Sequence, residues 1–226
     1  MAERVDIIYD EERWHLFRAM RQEAAAMMAP LRGAHIDCLT YGSLARGDVS
    51  DGSDIDVFIP SPQSPTIVEA ALERHGVRPT GREIVQATPG YAAKAYVYTD
   101  ELRGYSFPLV ELRPTEREFY GFAGSIRPEQ VDAGLRVPGV DKRLTLIEPT
   151  SRGHVESPVA GREGEVAKLL GVGIKIVLER VRTLERRRRV GRTGVYLKRE
   201  LSPEESFSEV FRELSLRRPA LRRRTR

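Results

Sequence analysis

The spacing of apolar residues predicts a chain that mixes helices and strands. From about Glu11 to Ala29, after Asp10 as an N-cap, apolar side chains recur at helical spacing and indicate a long N-terminal helix. Alternating or β-branched runs predict strands at 35–40, 83–87, 93–98, 109–112 and 143–147, and shorter helices are predicted at 66–75 and 115–121. This order of elements is typical of an α+β domain with a mixed sheet.

The composition changes near residue 158, and we expect a second, smaller domain after it. Residues 150–158 have the composition of a loop, which predicts a boundary there. The sequence therefore predicts a larger domain at 1–158 and a small domain at 159–226.

The small domain has the pattern of a winged helix-turn-helix. Two helices at 163–170 and 174–187 are separated by a glycine-containing turn. Apolar residues on both sides of a Gly-containing basic turn predict a hairpin at 189–197. A final helix is expected from Ser202 to about Leu216, because Ser-Pro-Glu-Glu supplies a cap and an acidic first turn.

Composition limits the class of protein. A chain of 226 residues with 40% hydrophobic residues can form one large or two small hydrophobic cores. No apolar run approaches the roughly 20 residues that cross a bilayer, and the N-terminus is acidic, so neither membrane insertion nor secretion is expected. Cys38 is the only cysteine, which excludes an intrachain disulfide and a cysteine-rich zinc site. A cytoplasmic location is the resulting expectation.

Charge is distributed unequally along the chain. The net charge is +4, but residues 161–226 carry 19 Lys or Arg against 9 Asp or Glu, whereas residues 1–160 carry 18 against 24. A basic second half predicts contact with a polyanion, and a thermostable charged surface is the alternative. No aromatic cluster accompanies the basic residues, so duplex or structured RNA is expected rather than single strands. The predicted nucleic-acid contacts are Lys175, Arg180, Arg182, Arg189 and Arg192.

One segment carries most of the chemistry: the Gly42-Ser43 turn, followed by Asp54 and Asp56 in an apolar setting. Residues i and i+2 of a strand point to the same face, so the two carboxylates project together. Such hard oxygen ligands suit Mg²⁺ or Mn²⁺, which complete their shell with water and substrate phosphates. The alternative is that both are acids next to the turn at 51–53, which explains Asp54 but leaves Asp56 costly if buried without a partner.

These motifs resemble the nucleotidyltransferase superfamily of DNA polymerase β, whose signature is a hydrophobic residue, Gly, Gly or Ser, a spacer and Asp-x-Asp. The resemblance implies a nucleotidyltransferase fold and a third carboxylate from a later strand, for which Glu111 is the candidate. Glu83 and Asp100 are the alternatives. Arg46-Gly47 also resembles minimal prokaryotic nucleotidyltransferases, and the whole chain is most similar to an archaeal group with a C-terminal helix-turn-helix.

The resemblance implies that an acceptor hydroxyl attacks the α-phosphorus of a nucleoside triphosphate and releases pyrophosphate. Two cations would be held by Asp54, Asp56 and Glu111. Gly42 would admit the phosphates to the backbone, Ser43 would donate a hydrogen bond to them, and Arg46 would neutralise their charge or lie on the surface. The acceptor is expected to be nucleic acid, and the oligomeric state stays open.

Two other functions fit the same residues. The chain could be a nucleic-acid-binding regulator that senses a nucleotide without turnover, or a minimal enzyme that adenylylates a protein. His154 and Glu156 could also form a ligand pair within the predicted linker.

Overall fold

A computed structural model describes residues 4–191 and 194–223. Its contacts divide the chain into two compact units, each assembled from separate segments. The first unit comprises Met1–Ala25, Thr40–Ile55 and Pro114–Thr193, and the second comprises Ala26–Leu39, Asp56–Arg113 and Gly194–Arg226.

The helices and strands are numbered in chain order. The strands are β1 (Val5–Ile8), β2 (Leu39–Tyr41), β3 (Ile55–Phe58), β4 (Gly81–Gln86), β5 (Lys94–Tyr98), β6 (Arg103–Pro108), β7 (Ser125–Ile126), β8 (Gly139–Val140), β9 (Thr145–Thr150), β10 (Gly153–Pro158) and β11 (Leu197–Glu200). The helices are α1 (Glu11–Gly33), α2 (Ser43–Arg46), α3 (Pro65–Arg74), α4 (Pro114–Ala123), α5 (Pro128–Asp132), α6 (Glu163–Leu170), α7 (Ile174–Val190), α8 (Phe207–Arg217) and α9 (Pro219–Arg222). No helix among the described residues combines the length and apolar character that crossing a bilayer requires.

The first unit contains a four-stranded sheet in the order β1-β10-β9-β8, with antiparallel neighbours. Strand β2 pairs with β7, also antiparallel. Helices α4, α6 and α7 pack against one another, and α4 also packs against strand β8. The core that they share consists of Phe122, Val140, Leu144, Leu146, Val159, Val166, Ala167, Ile176, Val177, Val181 and Leu184.

The second unit contains the strands β11-β4-β5-β6-β3 in that order. Ile84, Ala95 and Phe107 lie opposite one another on β4, β5 and β6, and all three are fully buried. Phe107 meets Phe207 of α8 with ring centroids 5.7 Å apart, so this face of the sheet is covered by helix.

The predicted α+β class with a mixed sheet is confirmed, and several elements differ from their prediction. Strand β6 ends at Pro108, so the strand expected at 109–112 is wrong: the chain leaves the sheet and Pro114 begins α4. Residues 153–158 are strand β10 and not a linker, because they pair with both β9 and β1. The helix expected from Ser202 begins instead at Phe207, with Ser206 as its cap, and the short helix α9 follows it.

The winged helix is not confirmed. Helices α6 and α7 are present, and Gly171 ends α6 in the left-handed conformation, at a φ of 64°. However, α7 continues to Val190 where the hairpin was expected to start, and β11 pairs with β4 in the second unit. The predicted domains 1–158 and 159–226 are therefore not the two units that the contacts define.

Candidate active site

The Gly42-Ser43 turn lies between β2 and α2 in the first unit. Gly42 has a φ of 77° and a ψ of −145°, a conformation that a residue with a Cβ rarely adopts, and its N–H donates to Gly124 O at 2.9 Å. A Cβ built at Gly42 would meet no atom within 4 Å. Backbone conformation, and not crowding, therefore requires glycine here, and the space over the turn is open.

Ser53 joins this turn to the acidic segment. The Ser43 hydroxyl donates to Ser53 Oγ at 3.3 Å, and Ser53 Oγ also accepts the Ser50 N–H at 2.9 Å. The residue after Ser53 is Asp54, the first predicted metal ligand. The hydrogen bond from Ser43, the predicted phosphate-binding serine, therefore ends next to Asp54 in the sequence. The sequence motif relates Ser43 and Asp54 only as parts of one signature, whereas the structure joins Ser43 by a hydrogen bond to Ser53, the residue before Asp54.

The carboxylates flank a buried position of β3. Ile55 and Val57 are 1% and 0% exposed, while Asp54 is exposed and Asp56 is half-buried. Ile55 and Val57 are buried as the predicted alternation requires, and Phe58, two residues after Asp56, is buried as well. Asp54 makes no hydrogen bond or ion pair with any other described residue.

In the second unit, Asp56 lies near two tyrosines of β5. Burial, and then the negative charges of Asp56 and Glu83, raise the pKa of Tyr96 to about 12. Tyr96 and Tyr98 stack with ring centroids 6.0 Å apart and an interplanar angle of 14°. Burial and a hydrogen bond to Glu83 also raise the pKa of Tyr98, so both phenols are protonated at neutral pH.

Glu111, the predicted third carboxylate, is exposed and lies three residues beyond the end of β6, the strand next to β3 in the second unit. Across residues 4–191 and 194–223, no group of three or more His, Cys, Asp or Glu side chains is close enough to hold a metal ion. The role of Glu111 as third ligand thus stays a prediction.

The alternatives to Glu111 are occupied in the structure. Glu83 is 7% exposed; its Oε1 accepts the Tyr98 hydroxyl at 2.7 Å, and its Oε2 pairs with Lys198 Nζ at 2.9 Å. Asp100 accepts the Leu102 N–H at 2.8 Å in the turn before β6. Both acids therefore serve local structure.

Arg46 is buried and hydrogen-bonded inside the first unit. It is 4% exposed, so the alternative of a surface arginine is wrong. Its Nε and Nη2 donate to the two Asp48 carboxylate oxygens, each at 2.9 Å, and its Nη1 donates to Ala123 O at 2.6 Å. All three nitrogens have protein partners, and contact with a triphosphate stays a prediction.

Gly47, the second half of the Arg-Gly pair, ends α2 at a φ of 101°. A Cβ there would lie 2.5 Å from Cδ of Arg136. Arg136 in turn stacks over Trp14, with its Cζ 4.8 Å from the ring centroid. Glycine is required both by backbone conformation and by this close approach.

Arg21 is a buried residue of this region that the sequence patterns did not identify. It is 6% exposed, and its Nε donates to Leu44 O at 2.8 Å. Its Nη2 donates to Leu135 O at 2.7 Å and to Ala45 O at 3.3 Å. The available signal was its place on the buried face of α1, four residues after Phe17, where an apolar residue is expected.

His154 and Glu156 belong to an internal network of the first unit. His154 is 2% exposed; its Nδ1 lies 2.5 Å from the Tyr9 hydroxyl and its Nε2 lies 3.3 Å from Glu156 Oε1. Arg143 pairs with Glu156 at 2.6 Å. Burial lowers the pKa of His154 although Glu156 opposes the shift. These contacts indicate a structural role rather than a ligand pair.

The predicted nucleic-acid contacts fall on α7. Lys175, Arg182 and Arg189 are exposed. Arg180 instead packs on Phe119, with its Cζ 5.1 Å from the ring centroid, and its buried Nε has no partner among the described residues. Arg192 lies outside the described residues.

Comparison with known families gives one match. Residues 32–129 match the model of a nucleotidyltransferase domain, a family of the DNA polymerase β-like superfamily. This confirms the predicted superfamily for that segment, which is less than half of the chain and includes both motifs and Glu111. No significant match is found among curated proteins or among solved structures. The match supports nucleotidyl transfer in general, and it supports neither the helix-turn-helix nor an archaeal origin.

Proposed function

We propose that the chain is a metal-dependent nucleotidyltransferase that transfers a nucleoside monophosphate from a nucleoside triphosphate to an acceptor hydroxyl. The observation that carries the proposal is the hydrogen bond between Ser43 and Ser53, which ties the Gly-Ser turn to the segment that starts at Asp54. The family match at 32–129 supports the same class of reaction.

In this reaction the acceptor oxygen forms a bond to the α-phosphorus, the bond from that phosphorus to the bridging oxygen breaks, and pyrophosphate leaves. The acceptor hydroxyl loses its proton to the solvent. Gly42 leaves open space for the phosphates, and the Ser43 hydroxyl can turn from Ser53 to donate to a phosphate oxygen. Neither step requires a side chain that is already committed to the core.

Asp54 and Asp56 would hold the metal. Two carboxylates of one extended segment fit Mg²⁺, which binds through one or two carboxylates together with substrate phosphates, and Mn²⁺ takes similar ligands. Asp54 is exposed and unpaired among the described residues, so ligand binding breaks no existing contact there. The metal would supply charge neutralisation at the reacting phosphate. Glu111 is the proposed third ligand.

Nucleic acid is the proposed acceptor. Lys175, Arg182 and Arg189 are exposed along α7, seven residues apart, which is close to two helical turns and sets them on one side of the helix. A row of cations with this spacing suits the phosphates of a duplex or structured RNA. In the proposed helix-turn-helix of α6 and α7, helix α7 would present this row of cations. The proposed location of the protein is the cytoplasm.

The test is transfer of label from each α-labelled nucleoside triphosphate, with Mg²⁺ or Mn²⁺, into total nucleic acid and protein of a cell extract. The wild type is compared with Asp54→Asn/Asp56→Asn and with the control Asp51→Asn, an exposed acid of the adjacent turn. We expect label in nucleic acid for the wild type and the control, and none for the double variant.

The other outcomes identify the rival functions. Label in protein would replace the nucleic-acid acceptor by a protein acceptor. Binding of a nucleotide without transfer in any variant would contradict the enzymatic proposal and favour a regulator. Loss of label in Asp51→Asn as well would show that the double variant acts by disturbing the loop.

A further inference from the structure

We infer that Arg21 is a buried positive charge behind the Gly42-Ser43 turn, and that it makes this turn prefer a long phosphate chain over a single phosphate. The inference rests on the proposed function for one point only, that phosphates bind at the turn. Everything else follows from the surroundings of Arg21 in the first unit.

Arg21 donates hydrogen bonds to the segment that directly follows Ser43. Its guanidinium binds the carbonyl oxygens of Leu44 and Ala45, two residues of the short helix α2, and also that of Leu135. One face of the guanidinium stacks on Phe17, with Cζ 4.7 Å from the ring centroid. The cation is therefore fixed in position relative to the turn and shielded from solvent.

Within residues 4–191 and 194–223, no acid pairs with the charge of Arg21. Its described partners are carbonyl oxygens, and its buried Nη1 has no hydrogen-bond partner at all among the described residues. Burial and the nearby Arg136 lower its pKa to about 10, so it remains protonated at neutral pH. Arg46 gives the contrast, because the same type of side chain is paired there with Asp48.

A buried cation without a counter-ion is costly, and an anion bound nearby offsets that cost. Leu44 and Ala45 follow Ser43 directly, so a phosphate at Ser43 would lie roughly 9 Å from the guanidinium, allowing 1.5 Å of helix rise per residue and the side chains between. At that separation and an effective dielectric constant of about 20, the attraction corresponds to about a twentyfold change in Kd per unit of negative charge. A triphosphate therefore gains more than a monophosphate.

The test compares the Kd of a nucleoside triphosphate and of the monophosphate with the same base, without Mg²⁺ and at fixed ionic strength, so that the two ligands differ in charge. The variants are Arg21→Gln, which removes the charge but can still donate to a carbonyl, and Arg21→Lys, which keeps the charge. Arg18→Gln is the matched control, since it lies on the same helix and its side chain is 58% exposed.

We expect Arg21→Gln to weaken the binding of both ligands and to weaken triphosphate binding by a factor at least tenfold larger than that for monophosphate binding, while Arg21→Lys and Arg18→Gln keep the wild-type preference. Equal weakening of both ligands in Arg21→Gln would overturn the inference, because it would show a purely structural role. If Arg21→Gln does not fold by circular dichroism, loss of the preference in Arg21→Lys would overturn it instead. A wild type that binds neither ligand would contradict the proposed function itself.

Discussion

Replacing Arg46 separates a structural role from a role in binding triphosphate. The Arg46 side chain is 5% exposed and that of Asp48 is 12% exposed, and the pair is joined by two hydrogen bonds of 2.9 Å. A third bond reaches Ala123 O. In Arg46→Met, the Asp48 carboxylate and the Ala123 carbonyl lose these partners while most of the buried volume is retained.

The expected loss of stability follows from this burial. Removing one partner of a buried ion pair costs about 3 to 5 kcal/mol, because it leaves an uncompensated charge. Asp48 retains some access to water, which places the expected loss at the lower end, about 3 kcal/mol. For a chain of this size each kcal/mol lowers the Tm by about 2–4 °C, so a decrease of about 6–12 °C is expected.

The assay is thermal and urea unfolding followed by circular dichroism, with Arg18→Met as the exposed control. The control should stay within about 0.5 kcal/mol of the wild type. Asp48→Asn and the double variant complete a cycle, in which a coupling of more than about 1 kcal/mol is expected for groups in contact. A variant Arg46→Met that unfolds like the wild type but no longer binds triphosphate would refute the structural role and support the sequence-based one.

Three further predictions concern the turn, the chain end and the histidine network. Gly42→Ala should lower stability by about 1–2 kcal/mol because of its φ of 77°, and should abolish label transfer, whereas unchanged transfer would count against the turn as the phosphate site. A chain ending at residue 158 should give no cooperative unfolding transition, since it lacks β11 beside β4 and the Phe207 contact to Phe107; a sharp transition would support the predicted domain boundary. Because burial holds the pKa of His154 below its ordinary 6.5, the unfolded chain binds the proton first. Stability should therefore fall as the pH decreases below 6.5, His154→Gln should reduce that fall, and an identical pH profile for the two proteins would contradict the assignment.

The sequence patterns correctly predicted those helices and strands that are determined mainly by residues close together in the sequence. Helix α1 has helical spacing of its apolar residues, and the Asp10 carboxylate accepts the Arg13 N–H at 2.8 Å as an N-cap does. Strands β4 and β5 have clear alternation, and they were predicted within a few residues of their ends. In each case neighbours in sequence supply the information that forms the element.

In the candidate site too, features that depend on nearby residues were predicted and features that depend on distant contacts were not. Gly42, Ser43 and the two aspartates follow from spacing within one segment, and β-strand alternation predicts which of their neighbours are buried. The surroundings of Arg21 and Arg46 could not be predicted this way. Their acceptors include the backbone carbonyls of Leu135 and Ala123, which are distant in the sequence. Every residue has a backbone carbonyl, so the residue type does not identify these partners.

Strand β11, in the C-terminal part of the chain, changes the interpretation of Glu83 as a possible metal ligand. The arginines before Gly191 favour helix, so α7 continues to Val190 and includes the first two residues of the predicted hairpin. The chain then adds β11 to β4, where Lys198 neutralises Glu83 at 2.9 Å. Glu83 was the first alternative to Glu111 as third metal ligand, and this ion pair leaves it poorly suited to bind a cation. Glu111 is the proposed third ligand, so it is the carboxylate to replace first, with Glu83→Gln as its control. Transfer lost in Glu111→Gln and retained in Glu83→Gln would support the ligand set, and the reverse result would contradict it.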